Sequence, residues 1–435
     1  MATNGRFSFG VTLTLAVRIL MAANSVIAGI LVARLLGPES FGILIVLNVT
    51  VSTAIQLSSM GLPTANTYFT AGNRELLAPA AVNGLLFALI GSSVFTLAIW
   101  VGSSYFLPGV PLSVAAIGLF SIPFQLTTLI VSNLFLAQGE IKRSNYIDLL
   151  NQSFVVINPV IALVIFGGGL VLLLSMNLVA AAGVSLATSV LLYRYIAAED
   201  LGARWRGDLG LLKKMLVYAL KGHVFWAATM VMLRIDVVIL NSFRGPVEAA
   251  VYGVATQYTL FLMLLPNVVA NLMLQRVASS PEKAGEFSSM AARHVALSLF
   301  IACLLSIPGA YLLPLAYGPE FIGAPALVWI LLPGVFFWGV QLTMVQYFVG
   351  TGLPIVIPAL WVATLAINIL LNLAFIPRFG AEASAAASTV CYFLIFVAIF
   401  IYFRKDTGSS LRDILICDAD DLRNLRGILR IGKVS

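Results

Sequence analysis

Charged residues are scarce in this sequence: they make up only 10% of its 435 residues, whereas 60% are hydrophobic. A typical soluble domain has about 25% charged residues and about 45 to 50% apolar ones. The charged side chains are therefore too few to cover a water-exposed surface. Together with a mean hydropathy of +1.01, this composition excludes a soluble catalytic domain and indicates a protein whose surface faces lipid.

Cysteine and histidine are also rare, with three and two residues respectively. Cys303, Cys391 and Cys417 lie far apart, which argues against a disulfide framework or a thiolate metal site. The sequence has no phosphate-binding loop, no His/Cys metal constellation and no Ser/His/Asp arrangement. We therefore expect no metal and no cofactor, and an ATP-driven pump is disfavoured.

Long apolar runs fill the chain instead. At about 20 residues per helical crossing, a chain of this length has room for about twelve transmembrane helices. The first run carries Arg18 and extends to about Leu36, so it is interpreted as a retained helix and not as a cleaved signal. The predicted spans lie at roughly 11–33, 41–61, 76–102, 112–137, 147–166, 170–195, 215–241, 249–273, 293–316, 325–349, 354–376 and 381–403.

A polar segment in the middle of the chain divides these spans into two sets of six. We predict a six-helix bundle at 1–196, a cytoplasmic linker at 197–214, a second six-helix bundle at 215–404 and a cytoplasmic tail at 405–435. The motif Gly37-Pro38 recurs as Gly245-Pro246 and Gly318-Pro319, which is consistent with a duplicated architecture. We expect each glycine to take the left-handed conformation that ends a helix, and each proline to begin the next helix.

The basic residues predict the orientation, because Lys and Arg are retained on the cytoplasmic side. Of 25 such residues, 19 fall at the termini and in alternate connections, and only Arg34, Arg244 and Arg378 fall on the opposite side. Both termini of this multi-pass protein of the cell membrane are therefore predicted to be cytoplasmic. Because the +7 net charge is spread between apolar runs and forms no single face, we expect no nucleic-acid partner.

Two predicted helices carry polar residues at matching positions, with the spacing i, i+4, i+8. This spacing places three polar side chains on one face of each helix, and within a bilayer such a face must meet protein or water. We interpret the two faces as lining a polar lumen, and the alternative is hydrogen bonding between helices. The residues are Asn48, Ser52 and Gln56 in the second helix, and Asn267, Asn271 and Gln275 in the eighth.

Three basic residues lie inside predicted helices, namely Arg18, Lys221 and Arg234. Arginine at the bilayer centre costs at least about 2.5 to 3.5 kcal/mol on insertion scales. One interpretation is a cationic cavity that attracts phosphate or pyrophosphate, and the other is structural contact with a neighbouring helix. Asp236 is a candidate for ion coupling, whereas Asp148 is interpreted as a helix-start residue that interacts with the helix dipole.

Four segments together resemble a known family: VARLLGPESFG at 32–42, LRIDVVILNSFRGP at 233–246, LAYGPEFIGAPALVWIL at 315–331 and INILLNLAFIPRFGAEASAAAS at 367–388. They resemble the polysaccharide-transporter and oligosaccharide-flippase branch of the multidrug/oligosaccharidyl-lipid/polysaccharide exporter superfamily. The likeness extends over nearly the whole chain. Arg18 matches the family's basic residue in helix 1 by location, and Arg234 and Asp236 match its RxD pattern in helix 7.

The resemblance implies two six-helix bundles that form a V-shaped, alternating-access carrier, and not an enzyme. Its substrate would be a polyprenyl-diphosphate-linked oligosaccharide, moved from the cytoplasmic to the outer leaflet for cell-surface polysaccharide biosynthesis. Arg18, Arg234 and Lys221 would then line the substrate cavity. Partners would be the lipid bilayer and the glycosyltransferases and polymerase of the same pathway.

Two other functions remain open from the sequence. A cation-coupled multidrug extruder of the same architecture should show a carboxylate cluster in one half, and this sequence has no obvious one. A membrane glycosyltransferase or glycan polymerase needs a substantial outward loop, whereas the outward loops here have about ten residues or fewer.

Overall fold

Helices fill most of the described part of the chain. The computed structural model describes the backbone of residues 2–71, 73–198, 205–279 and 281–417, and no residue in these ranges lies in a β-strand. Side chains are described there except at 2–19, 105–106, 221, 271–272, 274–276, 278–279 and 281. A helix satisfies its own backbone hydrogen bonds, as hydrocarbon surroundings require. The prediction of an all-α membrane protein is confirmed.

The chain divides into two compact units, Met1–Ala250 and Val251–Ser435. The helices that begin in the first unit are α1 (Ala2–Ser58), α2 (Leu62–Thr70), α3 (Leu77–Leu86), α4 (Ser92–Val101), α5 (Ser103–Phe106), α6 (Leu112–Leu119), α7 (Ile122–Ala137), α8 (Ile141–Pro159), α9 (Leu170–Ala198), α10 (Leu209–Met232), α11 (Ile235–Arg244) and α12 (Pro246–Phe261). Those of the second unit are α13 (Leu264–Ser279), α14 (Ala284–Ala310), α15 (Leu313–Tyr317), α16 (Ala324–Thr351), α17 (Val356–Thr407) and α18 (Leu411–Leu415).

Within the described ranges, nine helices are long and apolar enough to cross a membrane, or ten if the bent pair α12 and α13 forms one span. Two of the nine, Leu20–Ser58 and Val356–Thr407, have 39 and 52 residues. At 1.5 Å per residue they measure about 60 and about 80 Å, far more than a hydrocarbon core of about 30 Å. Each contains a glycine with non-helical backbone angles, Gly37 and Gly380. The predicted number of twelve spans stays a prediction.

The three Gly-Pro turns share one backbone conformation. Gly37, Gly245 and Gly318 have φ of 77, 84 and 130° with ψ of 171, 175 and 160°. The positive φ was expected, but the predicted left-handed helical conformation is wrong in ψ. A proline disfavours helical ψ values in the residue that precedes it, so the backbone is extended at each of these glycines. This combination is essentially restricted to glycine.

Four predicted spans, 112–137, 215–241, 249–273 and 293–316, are interrupted in the structure, and the two middle ones carry predicted site residues. The span at 215–241 breaks between α10 and α11, where Arg234 has φ −139° and ψ −19°. The span at 249–273 bends by 47° between α12 and α13. Pro266 explains the bend between α12 and α13, because its ring excludes the carbonyl of Leu262 and it has no amide hydrogen to donate. No glycine or proline lies within the break between α10 and α11.

Helix α10 packs within the first unit. Leu211, Met215 and Ala219 are buried in the same hydrophobic core as Leu62 and Leu126. The first compact unit therefore includes α10 and extends to residue 250. The predicted division into bundles at 1–196 and 215–404 is based on internal duplication of the chain. Packing within the compact units does not test this duplication, so the division stays a prediction.

Candidate functional site

The polar face predicted in the second span lies in the second half of α1. Asn48 is exposed, although its neighbours Leu47 and Val49 are only 1% and 5% exposed. Ser52 and Gln56 are half-buried, and the Ser52 hydroxyl donates to the carbonyl of Val49 at 3.0 Å. An exposed amide at membrane depth is stable only where water or a polar ligand reaches it.

The matching face in α13 is described in part. Asn267 is exposed, and its Nδ2 donates to the carbonyl of Met263 at 2.7 Å. Met263 and Ala270 on the same helix are buried. Asn271 and Gln275 lie outside the residues whose side chains are described. Within its own unit, each of α1 and α13 thus presents an exposed asparagine next to buried apolar residues.

Arg234 and Asp236 lie at the break in the seventh span. Arg234 is half-buried and immediately precedes α11, whereas Asp236 lies in the first turn of α11 and is 1% exposed. The Oδ1 atom of Asp236 accepts the amide hydrogen of Val237 at 2.8 Å. A carboxylate is favoured at this position because helix amides concentrate positive potential at the N-terminus. The break thus places a basic and an acidic side chain two residues apart in a membrane helix.

Arg18 and Lys221 complete the predicted cationic set. Their backbone lies in α1 and α10, but both fall outside the residues whose side chains are described. The roles predicted for them, and the coupling role predicted for Asp236, stay predictions.

The first unit also contains a polar cluster that is not among the predicted site residues. Asp148 lies about two turns into α8, so the helix-start interpretation of this residue is wrong. Its Oδ1 lies 3.4 Å from the Ser132 hydroxyl, which also contacts the Ser144 hydroxyl at 2.8 Å. Ser144 and Asp148 have i, i+4 spacing, and this was the signal that could have found the cluster.

The same face of α8 continues to Gln152. Its Nε2 donates to the Ser25 hydroxyl and to the carbonyl of Met21, both at 2.9 Å. Polar side chains thus join α8 to α1 and α7 within the membrane. Among the described residues, no group of three or more His, Cys, Asp and Glu could hold a metal ion.

Solved structures with the same fold are transporters. A multidrug resistance MATE family transporter of the MOP superfamily, in an inward-facing conformation, matches with a TM-score of 0.72 and 15% identity over 91% of this chain and 98% of the other. The lipid II flippase MurJ matches with a TM-score of 0.71 and 13% identity over 96% and 92%. The MATE multidrug transporter DinF-BH matches with 0.69 and 18% over 94% and 96%. The chain therefore has the fold of these MATE and MurJ structures.

A sequence profile for the polysaccharide biosynthesis protein family matches residues 9–279, well over half of the chain. The protein belongs to this family, which confirms the resemblance drawn from its motifs. No curated protein sequence matches it significantly.

Proposed function

We propose that this protein is a flippase that moves a polyprenyl-diphosphate-linked oligosaccharide from the cytoplasmic to the outer leaflet for cell-surface polysaccharide biosynthesis. The observation that carries the proposal is membership of the polysaccharide biosynthesis family in a chain with a transporter fold. A charged diphosphate with a polar glycan cannot cross hydrocarbon unaided. A pathway that builds surface polysaccharide from cytoplasmic precursors therefore needs a carrier of this kind.

The polar residues of the spans suit this substrate. Exposed amides such as those of Asn48 and Asn267 donate to and accept from sugar hydroxyls. The guanidinium of Arg234 suits diphosphate oxygens because it donates in a planar fork. Arg18 and Lys221 would add positive charge, and Ser52, Gln56, Asn271 and Gln275 would extend the polar path. Asp236 would couple transport to a cation.

The orientation belongs to the same proposal. With both termini cytoplasmic, the substrate would arrive from glycosyltransferases on that side and leave toward a polymerase on the other. The lipid tail would stay in the bilayer while the headgroup follows the polar path.

The experiment is a flipping assay with purified protein in vesicles. The probe is a short polyprenyl diphosphate that carries a fluorescent disaccharide, and dithionite added outside bleaches only the outer leaflet. We expect the bleached fraction to rise from about half to nearly all when the protein is present. An unchanged fraction, together with uptake of a cationic dye by the same vesicles, would favour the multidrug extruder instead.

A further inference from the structure

Two exposed tyrosines stack on each other within the first unit. Tyr68 lies near the end of α2 and is 61% exposed, and Tyr218 lies in α10 and is 39% exposed. Their ring centroids lie 4.2 Å apart and the ring planes differ by 19°, so the rings are stacked face to face. Tyr218 covers one face of the Tyr68 ring, and the high exposure of Tyr68 means that the other face is open.

A third ring holds this pair in place. Phe69 contacts both tyrosine rings edge to face, with centroids 5.3 Å from that of Tyr68 and 5.8 Å from that of Tyr218. Phe69 is half-buried and packs against the hydrophobic core that contains Leu62 and Met215. The two exposed rings are therefore fixed before a ligand arrives, which lowers the entropy cost of binding. We call Tyr68 and Tyr218 the aromatic platform.

The exposed surface of α2 around the platform is polar. Thr64 and Tyr68 lie one turn apart on one face of this helix, and both are exposed. The side chains of α2 are all described, and no aliphatic one among them is exposed. A helix face that contacts lipid tails is predominantly apolar. The exposed face of α2 therefore meets water or a polar ligand.

Helix α10 has two separate exposed stripes. Lys214 and Tyr218 are exposed and lie one turn apart. Val217, Leu220 and Val224 are also exposed, but at 3.6 residues per turn their stripe is centred about 100° away around the helix axis. The apolar stripe suits lipid tails, whereas a stripe that contains a lysine suits water. Tyr218 thus lies away from the lipid side of its helix, unlike a tyrosine of an interfacial aromatic belt.

An aromatic ring with an open face is suited to a sugar. The ring face carries negative potential, and the C–H groups on one side of a pyranose carry a slight positive charge. Sugar hydroxyls point outward from the ring, where the hydroxyls of Tyr68 and Thr64 can exchange hydrogen bonds with them. Lys214, one turn from Tyr218, adds a positive charge that complements the diphosphate of the proposed substrate.

We propose that the aromatic platform binds the glycan of the lipid-linked substrate before transport, with the open face of Tyr68 stacked against one sugar ring. With both termini cytoplasmic, as proposed above, the platform lies at the cytoplasmic ends of the second and seventh spans, where the substrate arrives. The inference rests on the proposed function in taking the lipid-linked oligosaccharide as the occupant. It adds the sugar as a determinant of binding beside the diphosphate.

The first test measures binding without transport. Two tritium-labelled probes, a short polyprenyl diphosphate with a disaccharide and one without it, are bound to the purified protein in a scintillation proximity assay. Tyr68→Ala should weaken binding of the disaccharide probe by about fivefold or more, as loss of an aromatic stacking partner does for a nucleic-acid base. Binding of the glycan-free probe should stay unchanged.

Two further variants separate stacking from a structural effect. Tyr68→Phe should bind both probes like the parent protein, because the ring remains. The matched control is Tyr146→Ala, which removes an exposed tyrosine of α8 and should change neither affinity. Equal weakening of both probes by Tyr68→Ala, or unchanged binding of the disaccharide probe, would overturn the proposal.

The second test asks whether the platform lies in water. Thr64→Cys is introduced into a chain whose three native cysteines are replaced by serine, which leaves both rings intact. In lipid nanodiscs, where both membrane surfaces are accessible, a water-soluble maleimide should label this cysteine much faster than Val217→Cys in the same background. The disaccharide probe should slow labelling at position 64, and the glycan-free probe should slow it less.

Equal labelling rates at positions 64 and 217 would mean that the platform contacts lipid and would overturn the proposal. Equal protection of position 64 by the two probes would overturn it as well. Failure of the proposed function has a different signature. In that case the protein does not flip the probe in vesicles, while its binding still depends on the disaccharide and on the ring at position 68.

Discussion

Asn83 holds the backbone of Asp208 from both sides: its Nδ2 donates to the carbonyl at 2.8 Å, and its Oδ1 accepts from the amide at 3.0 Å. Asp208 in turn caps α10, because its Oδ1 accepts from the amide of Leu211 at 3.0 Å. One buried side chain on α3 thus positions the start of the seventh span.

Asn83→Ala should therefore lower the free energy of unfolding by about 1 to 3 kcal/mol, because it leaves two backbone groups without their partner. Denaturant unfolding in mixed micelles measures this change. Asn73→Ala is the control, because Asn73 is exposed and makes no side-chain capping bond. Equal stability of the two variants would show that the clamp contributes nothing.

Arg234→Ala should weaken flipping of the diphosphate-linked probe by about 10- to 100-fold, since a hydrogen bond to a charged group contributes about 1.5 to 3 kcal/mol. Arg234→Lys should retain part of the activity, because the charge remains while the fork is lost. The vesicle flipping assay measures both variants, with exposed Arg378→Ala as the control.

Recognition of phosphate by Arg234 can be separated from a structural effect on the break. The loss caused by Arg234→Ala should be smaller for a monophosphate-linked probe than for the diphosphate-linked one. Equal losses for both probes would contradict a role in diphosphate binding.

The segment 408–417 lies against α14 as a C-terminal strap. Ile414 in the strap is fully buried, the Ser409 and Ser289 hydroxyls lie 2.9 Å apart, and the Cys417 thiol lies 3.4 Å from the carbonyl of Arg293.

Ile414→Ala removes the buried apolar side chain of the strap, and a truncation of this kind costs about 2 to 5 kcal/mol. The strap should then detach locally, and maleimide should label Cys417 at least tenfold faster. Ile416→Ala, at an exposed position, should leave the labelling rate unchanged, and a similar rate in both variants would rule out the anchor.

The strap should also respond to acid. Hydrogen bonds from the backbone and side chain of Ser410 hold the pKa of the Asp413 carboxyl below its usual value of 3.8. A lowered folded-state pKa means that the stabilisation is fully present above pH 3.8 and is lost as the pH falls through the lower, folded-state value. Asp413→Ala should therefore speed hydrogen exchange of the strap at pH 6. The difference from the parent protein should vanish in strong acid, and a difference that persists there would contradict this origin.

Much of the fold could be predicted because its determinants are local. Long apolar runs predict helices, and the glycine of each Gly-Pro pair predicts a positive φ. The break at Leu233 and Arg234 could not be predicted from sequence, because no glycine or proline marks it and contacts distant in sequence anchor the chain on either side. The helix-start prediction for Asp148 is wrong for a related reason. Helix α8 begins at Ile141, earlier than the apolar run does, so the carboxylate lies about two turns inside the helix.

The site was less predictable than the fold. The i, i+4, i+8 spacing predicts that Asn48 and Asn267 each share a helix face with other polar residues, but it does not predict their exposure, which is a tertiary property. The close packing of Gly42 against the backbone of Pro246 has no sequence signature, because it depends on the tertiary fold.

The most direct test of the proposed flippase is the location of lipid-linked oligosaccharide in cells depleted of this protein. We predict that the precursor accumulates on the cytoplasmic leaflet and that restoring the intact chain reverses the accumulation. Unchanged precursor levels in the two leaflets, with altered drug sensitivity in the depleted cells, would contradict it.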